Sequence, residues 1–244
     1  MKFEPRIISL VLAFAGNATL SWAASTTFSD GIFSDADWSA AVVSEVGPPV
    51  SFTAQQVATG GNPAEYRQVQ HSYGGPGSIV SGHLQDAAIY DPASQGAISS
   101  LDFSFDIMLL NGGDSLTVAY GALLYQNGSY YGGGGVLTTI TPTTNVWVSH
   151  TFSGLDSAAF SRLSGPAGAT PDFSASGGAI QLGYFASNGT SGGPTATLSG
   201  LDNWSMSVTP VPEPASALLL LIGLLAYGVL RRSHGPTRSS GRRS

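Results

Sequence analysis

The sequence predicts an all-β fold, a single antiparallel β-sandwich, and three observations predict it. Residues 98–110 alternate, with Leu101, Phe103, Phe105 and Ile107 apolar against Asp102, Ser104 and Asp106. That is the two-residue period of a half-buried strand. Similar runs recur along the chain, separated by turn formers such as Gly60-Gly61-Asn62-Pro63, Asn111-Gly112-Gly113-Asp114, Asn127-Gly128 and Ser187-Asn188-Gly189, residues suited to the backbone angles of tight connections. No long helical period alternates with these runs, which argues against a parallel sheet. Within the sandwich class a jelly roll is favoured, because closing one sheet on another protects the edges.

The elements follow in chain order. Lys2 and Arg6 precede an apolar run over residues 7–15, and Ser21 and Ala23 bracket Trp22. Charge, short apolar core and small-residue site in that order make residues 1–23 a secretory signal peptide, cut by signal peptidase after Ala23. Strands are then expected at 51–58, 66–72, 78–85, 98–110, 115–126, 135–140, 145–152, 178–186 and 195–208. Asn127-Gly128 between two β-like runs is the clearest hairpin signal. One short helix is expected at 155–163 with Asp156 as its N-cap. The sandwich then fills residues 24–210, enough chain for one substantial core.

Residues 211–244 are of another kind. Pro212, Glu213 and Pro214 lead into an uncharged apolar run at 215–230, followed by Arg231 and Arg232 and later by Arg238, Arg242 and Arg243. As a helix the run spans about 24 Å, slightly short of the roughly 30 Å hydrocarbon core. It is therefore expected to be a short transmembrane helix, stopped by Arg231 and Arg232, with the arginine-rich end at 231–244 held in the cytoplasm. The two prolines disfavour helix on the upstream side and set the membrane segment apart.

Charge and cysteine content exclude several function classes. Residues 24–210 hold 13 acidic residues and only two basic ones, Arg67 and Arg162. Nucleic acid is no partner for such a surface, because phosphate affinity comes from clustered Lys and Arg. The chain has no cysteine, which removes disulfides, thiolate metal sites and cysteine nucleophiles.

No residue pattern points to catalysis. Asp102 and Asp106 would lie about 13 Å apart on a regular strand, outside the roughly 5 to 9.5 Å of glycosidase pairs, so the expectation is a solvated strand face. No Gly-x-Ser-x-Gly elbow occurs, and His71, His83 and His150 have no spacing that marks a base or a zinc site. Binding chemistry fits better. Tyr125, Tyr130 and Tyr131 flank Asn127-Gly128, and their rings are candidates for stacking on a sugar face. The alternative for these tyrosines is ordinary strand packing.

The ordered set of Pro212, Glu213, Pro214, the apolar run 215–230 and Arg231 with Arg232 resembles the tail of the PEP-CTERM family of exported bacterial proteins. It departs from that family in running on from Arg231 to Ser244. The resemblance implies an exosortase-type membrane protease as partner, an inner-membrane sorting intermediate, and a final place at the cell surface or in the extracellular matrix. The middle of the chain resembles lectin-like or galactose-binding-like jelly rolls through residues 28–38 (FSDGIFSDADW), 60–63, 171–173, 183–184 and 202–204. That second resemblance implies a structural calcium shared by carboxylates near the two ends of the domain, with Asp35, Asp37 and Asp202 as the candidates. The leading expectation is thus a non-enzymatic exported surface protein. Two others stand beside it: a carbohydrate-binding module for exopolysaccharide, and a secreted polysaccharide hydrolase.

Overall fold

The alternation becomes strands almost everywhere it was read. The computed structural model describes residues 24–111, 117–139, 145–212 and 223. The expected signal peptide at 1–23, Glu213, Pro214, Arg231, Arg232 and all but one residue of the expected membrane helix at 215–230 lie outside the described residues. Among the described residues, no helix is long and apolar enough to cross a membrane.

The strands are β1 (Thr26–Asp30), β2 (Trp38–Val46), β3 (Val50–Gly61), β4 (Ala64–Tyr73), β5 (Gly77–Tyr90), β6 (Ile98–Asn111), β7 (Thr117–Gln126), β8 (Ser129–Thr139), β9 (Val148–Leu155), β10 (Phe160–Ser164), β11 (Ile180–Thr190) and β12 (Thr195–Pro210). They form two sheets. The first has the order β3-β4-β12-β6-β9, with β1 also on β12, and the second the order β10-β8-β7-β11-β5-β2. Every pairing in both is antiparallel. The result is a two-sheet antiparallel sandwich spanning Ala24–Val211.

The core lies between the sheets and follows the predicted parity. Leu101, Phe103, Phe105 and Ile107 of β6 are all buried, as are Tyr120, Ala122 and Leu124 of β7 and Leu182, Tyr184 and Ala186 of β11. Trp38 and Trp204 meet edge to face at its centre, ring centroids 5.3 Å apart. On β12 the inward parity is reset by a bulge at Asn203, where φ is 50° and the β6 register slips between Asp202 and Ser205. Leu201 precedes that bulge and Trp204, Met206 and Val208 follow it, and all four face the core.

The interior also holds polar groups. Ser81 Oγ bridges His71 Nε2 at 2.9 Å and His83 Nε2 at 3.0 Å. Burial lowers the pKa of His71 to about 4 and pushes His83 well below its usual value. Both rings are therefore neutral at neutral pH and pack as aromatic discs, His83 stacking on Tyr184 at 4.5 Å. Arg67 lies under the Trp38 ring and reaches Asp35 at 3.1 Å, which keeps the buried guanidinium paired.

Three strands and two helical segments differ from expectation. β1 and β2 were not foreseen: the five residues of β1 are too few for a period, and WSAAVVSEV in β2 does not alternate cleanly. The helix expected at 155–163 is instead a three-residue 3-10 turn, Ser157–Ala159, followed by β10. Asp156 does cap it, accepting from the amides of Ala158 and Ala159. Extending the chain there lets β10 pair with β8 and buries Phe160, gains that outweigh local helix propensity. A single helical turn, α1 (Pro92–Gln95), was also missed; Asp91 caps it through the Ala93 amide.

Candidate functional site

The outer face of the second sheet carries aromatic residues that face away from the core, Tyr125, Tyr130 and Phe185. Its centre is the β7–β8 hairpin, closed by Asn127 and Gly128 with φ of 51° and 77°. Two positive φ values give the hairpin turn whose twist matches its strands. Buried Gln126 fixes the hairpin: its Nε2 donates to the Asp172 and Gly178 carbonyls and its Oε1 accepts from the Asp172 amide, each at 2.8 Å. A long mobile loop is therefore not what carries the tyrosines.

Register decides which of them face outward. Tyr125 is opposite Tyr130, and Leu124 is opposite Tyr131. Tyr125 and Tyr130 consequently share the outer face, ring centroids 4.7 Å apart, and both are partly exposed. Tyr131 points the other way and is buried in the core. The expectation that all three tyrosines present their rings is corrected for Tyr131, because side chains alternate across a strand. Burial and the neighbouring Tyr125 raise the pKa of Tyr130, so its phenol stays neutral and able to donate a hydrogen bond.

Sequence reasoning missed the rest of this face. Across the sheet Gln181 aligns with Tyr125, and Phe185 aligns with Gly121 on one side and Gly82 on the other. Gly135 continues that row and Gly132 lies in the next. The half-exposed Phe185 ring leans over the glycines: a Cβ at Gly121 would lie 2.5 Å from it. Leu163 of β10 and Val43 of β2 flank the same glycines, their side chains within 2.8 Å of Cβ positions at Gly132 and Gly82. Phe185, Leu123, Val43 and Leu163 thus close over the glycine row, and the tyrosine pair stands beside them with Gln181 in register with Tyr125. Glycines one strand apart were the available signal, but it emerges only with the register.

The carboxylates do not assemble as expected. Asp30 accepts from the amides of Ile32 and Phe33 and from Trp38 Nε1. Asp35 accepts from the Gln56 amide and Arg67, while Asp37 is exposed. Asp202 is fully buried on β12, opposite Asp106 of β6. Among the described residues no group of three or more His, Cys, Asp or Glu is placed to hold a metal ion. Asp35, Asp37 and Asp202 are therefore not brought together as a calcium site: Asp35 is engaged by Arg67 and the Gln56 amide, Asp37 is exposed, and Asp202 is buried on β12.

Asp102 and Asp106 also part company. Asp102 accepts from the Gly154 amide at 2.8 Å, whereas Asp106 is buried rather than solvated. It accepts from Asn62 Nδ2 at 3.0 Å and Asn203 Nδ2 at 2.7 Å. The Asn62 and Asn203 amides both donate to Asp202. The β3–β4 turn approaches so closely that a Cβ at Gly61 would lie 2.2 Å from the Glu65 carbonyl and 2.8 Å from Asp202 Oδ2, which excludes any larger residue there.

Burial raises the Asp202 pKa against the lowering effect of these amides, and Asp106 and Glu65 raise it further. For an acid the sign follows directly. A folded-state pKa above the unfolded value means that stability falls as pH rises through the interval between them and then levels off. In Asp202→Asn the difference in Tm from the native protein should therefore grow in the variant's favour across that interval and become constant above it. A difference that does not change with pH between about 3.5 and 7 would contradict this, and any constant cost of the lost acceptor drops out of the slope.

At its end the sandwich gives way abruptly to the tail. Pro210, the last residue of β12, is buried, and the Val211 amide donates to the Ala97 carbonyl at 2.7 Å. The family model of the PEP-CTERM protein-sorting motif matches residues 210–233. The chain carries a PEP-CTERM sorting motif at its C-terminus. The PEP-CTERM motif implies an exported protein sorted to the cell surface and processed by exosortase. No curated protein matches the chain by sequence.

Solved structures share the sandwich. One is the family 11 carbohydrate-binding module from Clostridium thermocellum in complex with a β-1,3-1,4-mixed-linked tetrasaccharide. It is 12% identical, with 78% of this chain and 97% of that one covered and a TM-score of 0.42. A second is a carbohydrate-binding module that recognises mannan, TmCBM27, at 10% identity, with 76% and 99% covered and a TM-score of 0.39. A third is the K1 cleaved adhesin domain of Lys-gingipain from Porphyromonas gingivalis W83, at 12% identity, with 76% and 99% covered and a TM-score of 0.39. At these identities the likeness is one of fold alone.

Proposed function

We propose that this PEP-CTERM protein is a non-enzymatic surface or matrix protein whose sandwich binds neutral extracellular polysaccharide on the outer face of the second sheet. The observation that carries the reading is the tyrosine pair. Tyr125 and Tyr130 stand side by side, partly exposed, beside the glycine row. Aromatic rings stack on the apolar faces of sugars, and the phenol hydroxyls with the Gln181 amide supply orienting hydrogen bonds. Charge selects the ligand class. Of the two basic residues in 24–210, Arg67 is buried and paired, and Arg162 donates to the Ala167 carbonyl. Such a surface has little to attract a polyanion.

The test is binding of the full chain, purified in detergent, to polysaccharide from the producing cells separated into neutral and acidic fractions. Binding to the neutral fraction is expected, and Tyr125→Ala with Tyr130→Ala should weaken it by about tenfold or more, each lost ring contributing on the order of 1 kcal/mol. Preference for the acidic fraction, or unchanged affinity in the doubly substituted protein, would overturn the reading.

A further inference from the structure

The outer face of the first sheet differs in chemistry from the second and is equally without a partner among the described residues. Tyr66, Gln68, Gln70 and Ser72 follow one another on the outward side of β4, and Gln55, Thr53 and Ser51 of β3 lie opposite the last three. Their groups are linked side to side. Gln55 Nε2 donates to Gln68 Oε1 at 3.4 Å, Gln68 Nε2 to Tyr66 Oη at 3.2 Å, and Gln70 Nε2 to Ser72 Oγ at 3.3 Å. None of these side chains is charged, and each can donate and accept.

An aromatic wall closes one end of this ladder. Trp147 meets Tyr66 edge to face at 5.5 Å, and its Nε1 donates to the Gly60 carbonyl at 3.0 Å, which fixes the ring. The ring lies over Gly200, where a Cβ would come within 3.0 Å of it, and Gly200 is opposite Gln68 in register. Asp106 and Asp202 are buried and held by Asn62 and Asn203, which leaves the partly exposed Glu65, at the Tyr66 end, as the acid beside the ladder. A partly exposed tryptophan beside a row of neutral amides and hydroxyls complements a ligand that is itself uncharged, hydroxyl-rich and extended. A membrane surface would call for an apolar or basic face, and this one is neither.

We propose that this face, built on Trp147 with Gln68 and Gln70, is a second polysaccharide-binding surface, so that one domain holds two chains on opposite sheets and cross-links them. The proposal rests on the reading of the tyrosine face as the first such surface. Amides at two-residue spacing along β4 stand roughly 6.8 Å apart, a row of donors and acceptors for the hydroxyls of an extended chain, and Trp147 supplies the stacking ring at the end of the track.

Agglutination separates cross-linking from simple binding. Beads coated with the neutral polysaccharide fraction from the producing cells are mixed with full chain in detergent, and affinity is measured in parallel on a single coated surface. The native protein should agglutinate the beads. Trp147→Ala should abolish agglutination while leaving binding through the tyrosine face, and Gln68→Ala with Gln70→Ala should weaken agglutination while keeping the native Tm, which guards against misfolding of the tryptophan variant. Tyr125→Ala with Tyr130→Ala should abolish agglutination too, and combining both faces should remove binding altogether. Agglutination that survives Trp147→Ala in a folded protein overturns the second surface and leaves the first standing. Binding lost with Trp147→Ala but unchanged in the tyrosine variant would place sugar on the first sheet alone, overturning both the bivalent arrangement and the tyrosine site. No binding by the native protein overturns both surfaces.

Discussion

Trp204→Ala is expected to destabilise the sandwich by about 3–5 kcal/mol, the range for removing a large buried aromatic side chain. Trp204 is 1% exposed and is among the largest fully buried side chains. Its ring stands edge to face against Trp38, which in turn packs on Phe33 at 5.6 Å and Tyr184 at 5.5 Å. Removal thus leaves a cavity bounded by rigid rings, and aromatic rings held from several sides cannot collapse into the gap. Trp204 Nε1 has no hydrogen-bond partner in the core, so the loss lies in packing alone and Trp204→Phe should restore much of it. At roughly 2–4 °C per kcal/mol for a domain of this size, Tm should fall by about 6–20 °C. Thermal unfolding of the native, Ala and Phe proteins checks the series. A fall of under 2 °C for the alanine variant, or a phenylalanine variant as unstable as it, would mean that Trp204 is not the keystone of the core.

That residue also marks where sequence reading stops. Strand β12 is plain in the pattern, but regular alternation would bury Asn203 along with Leu201. The left-handed backbone at Asn203 shifts the phase, sending Trp204 inward and leaving Asp202 on the outer side. No local signal announces that step, because it is set by pairing with β6 and by the β3–β4 turn lying against Asp202. The inward set of β6 was legible because the apolar period is unbroken from Leu101 to Ile107, whereas the burial of Asp106 on the other parity was not. The tyrosine site was half legible: residue type singled out Tyr125 and Tyr130, yet only the turn and register could separate them from Tyr131. The Phe185 cluster and the Trp147 face were illegible, since each joins residues from strands distant in the chain. The calcium expectation failed on a physical point: Asp35 is taken by Arg67 and the Gln56 amide and Asp202 by the backbone amides of Asn62 and Asn203, and the three carboxylates are not grouped.

Glu213→Ala is expected to block tail processing almost completely, leaving a protein that retains residues 214–244. The PEP-CTERM motif is read over residues 210–233, and Glu213 is the only charge between Asp202 and Arg231, so its loss removes the one ionic feature that marks the cleavage region. Intact-mass measurement on protein from the producing cell decides it: native protein should lack the segment after the motif, and the variant should retain it. The fold adds a second expectation. The last strand is buried through Pro210 and hydrogen-bonded through Val211, so Pro212 alone separates the folded sandwich from Glu213. The chain enters the sandwich at the same place, with Ser25 Oγ 3.2 Å from Thr209 Oγ1 and Thr26 paired to Val208. A membrane protease acting at Glu213 must therefore work against the folded edge formed by β1 and β12, or wait for residues 209–211 to peel away. Inserting about ten Gly-Ser residues between Val211 and Pro212 supplies a flexible reach of on the order of 15–20 Å, and processing in pulse-chase should become several-fold faster. Unchanged processing with the spacer would show that the edge is no obstacle, and a native protein still retaining residues 214–244 would remove the basis of both expectations.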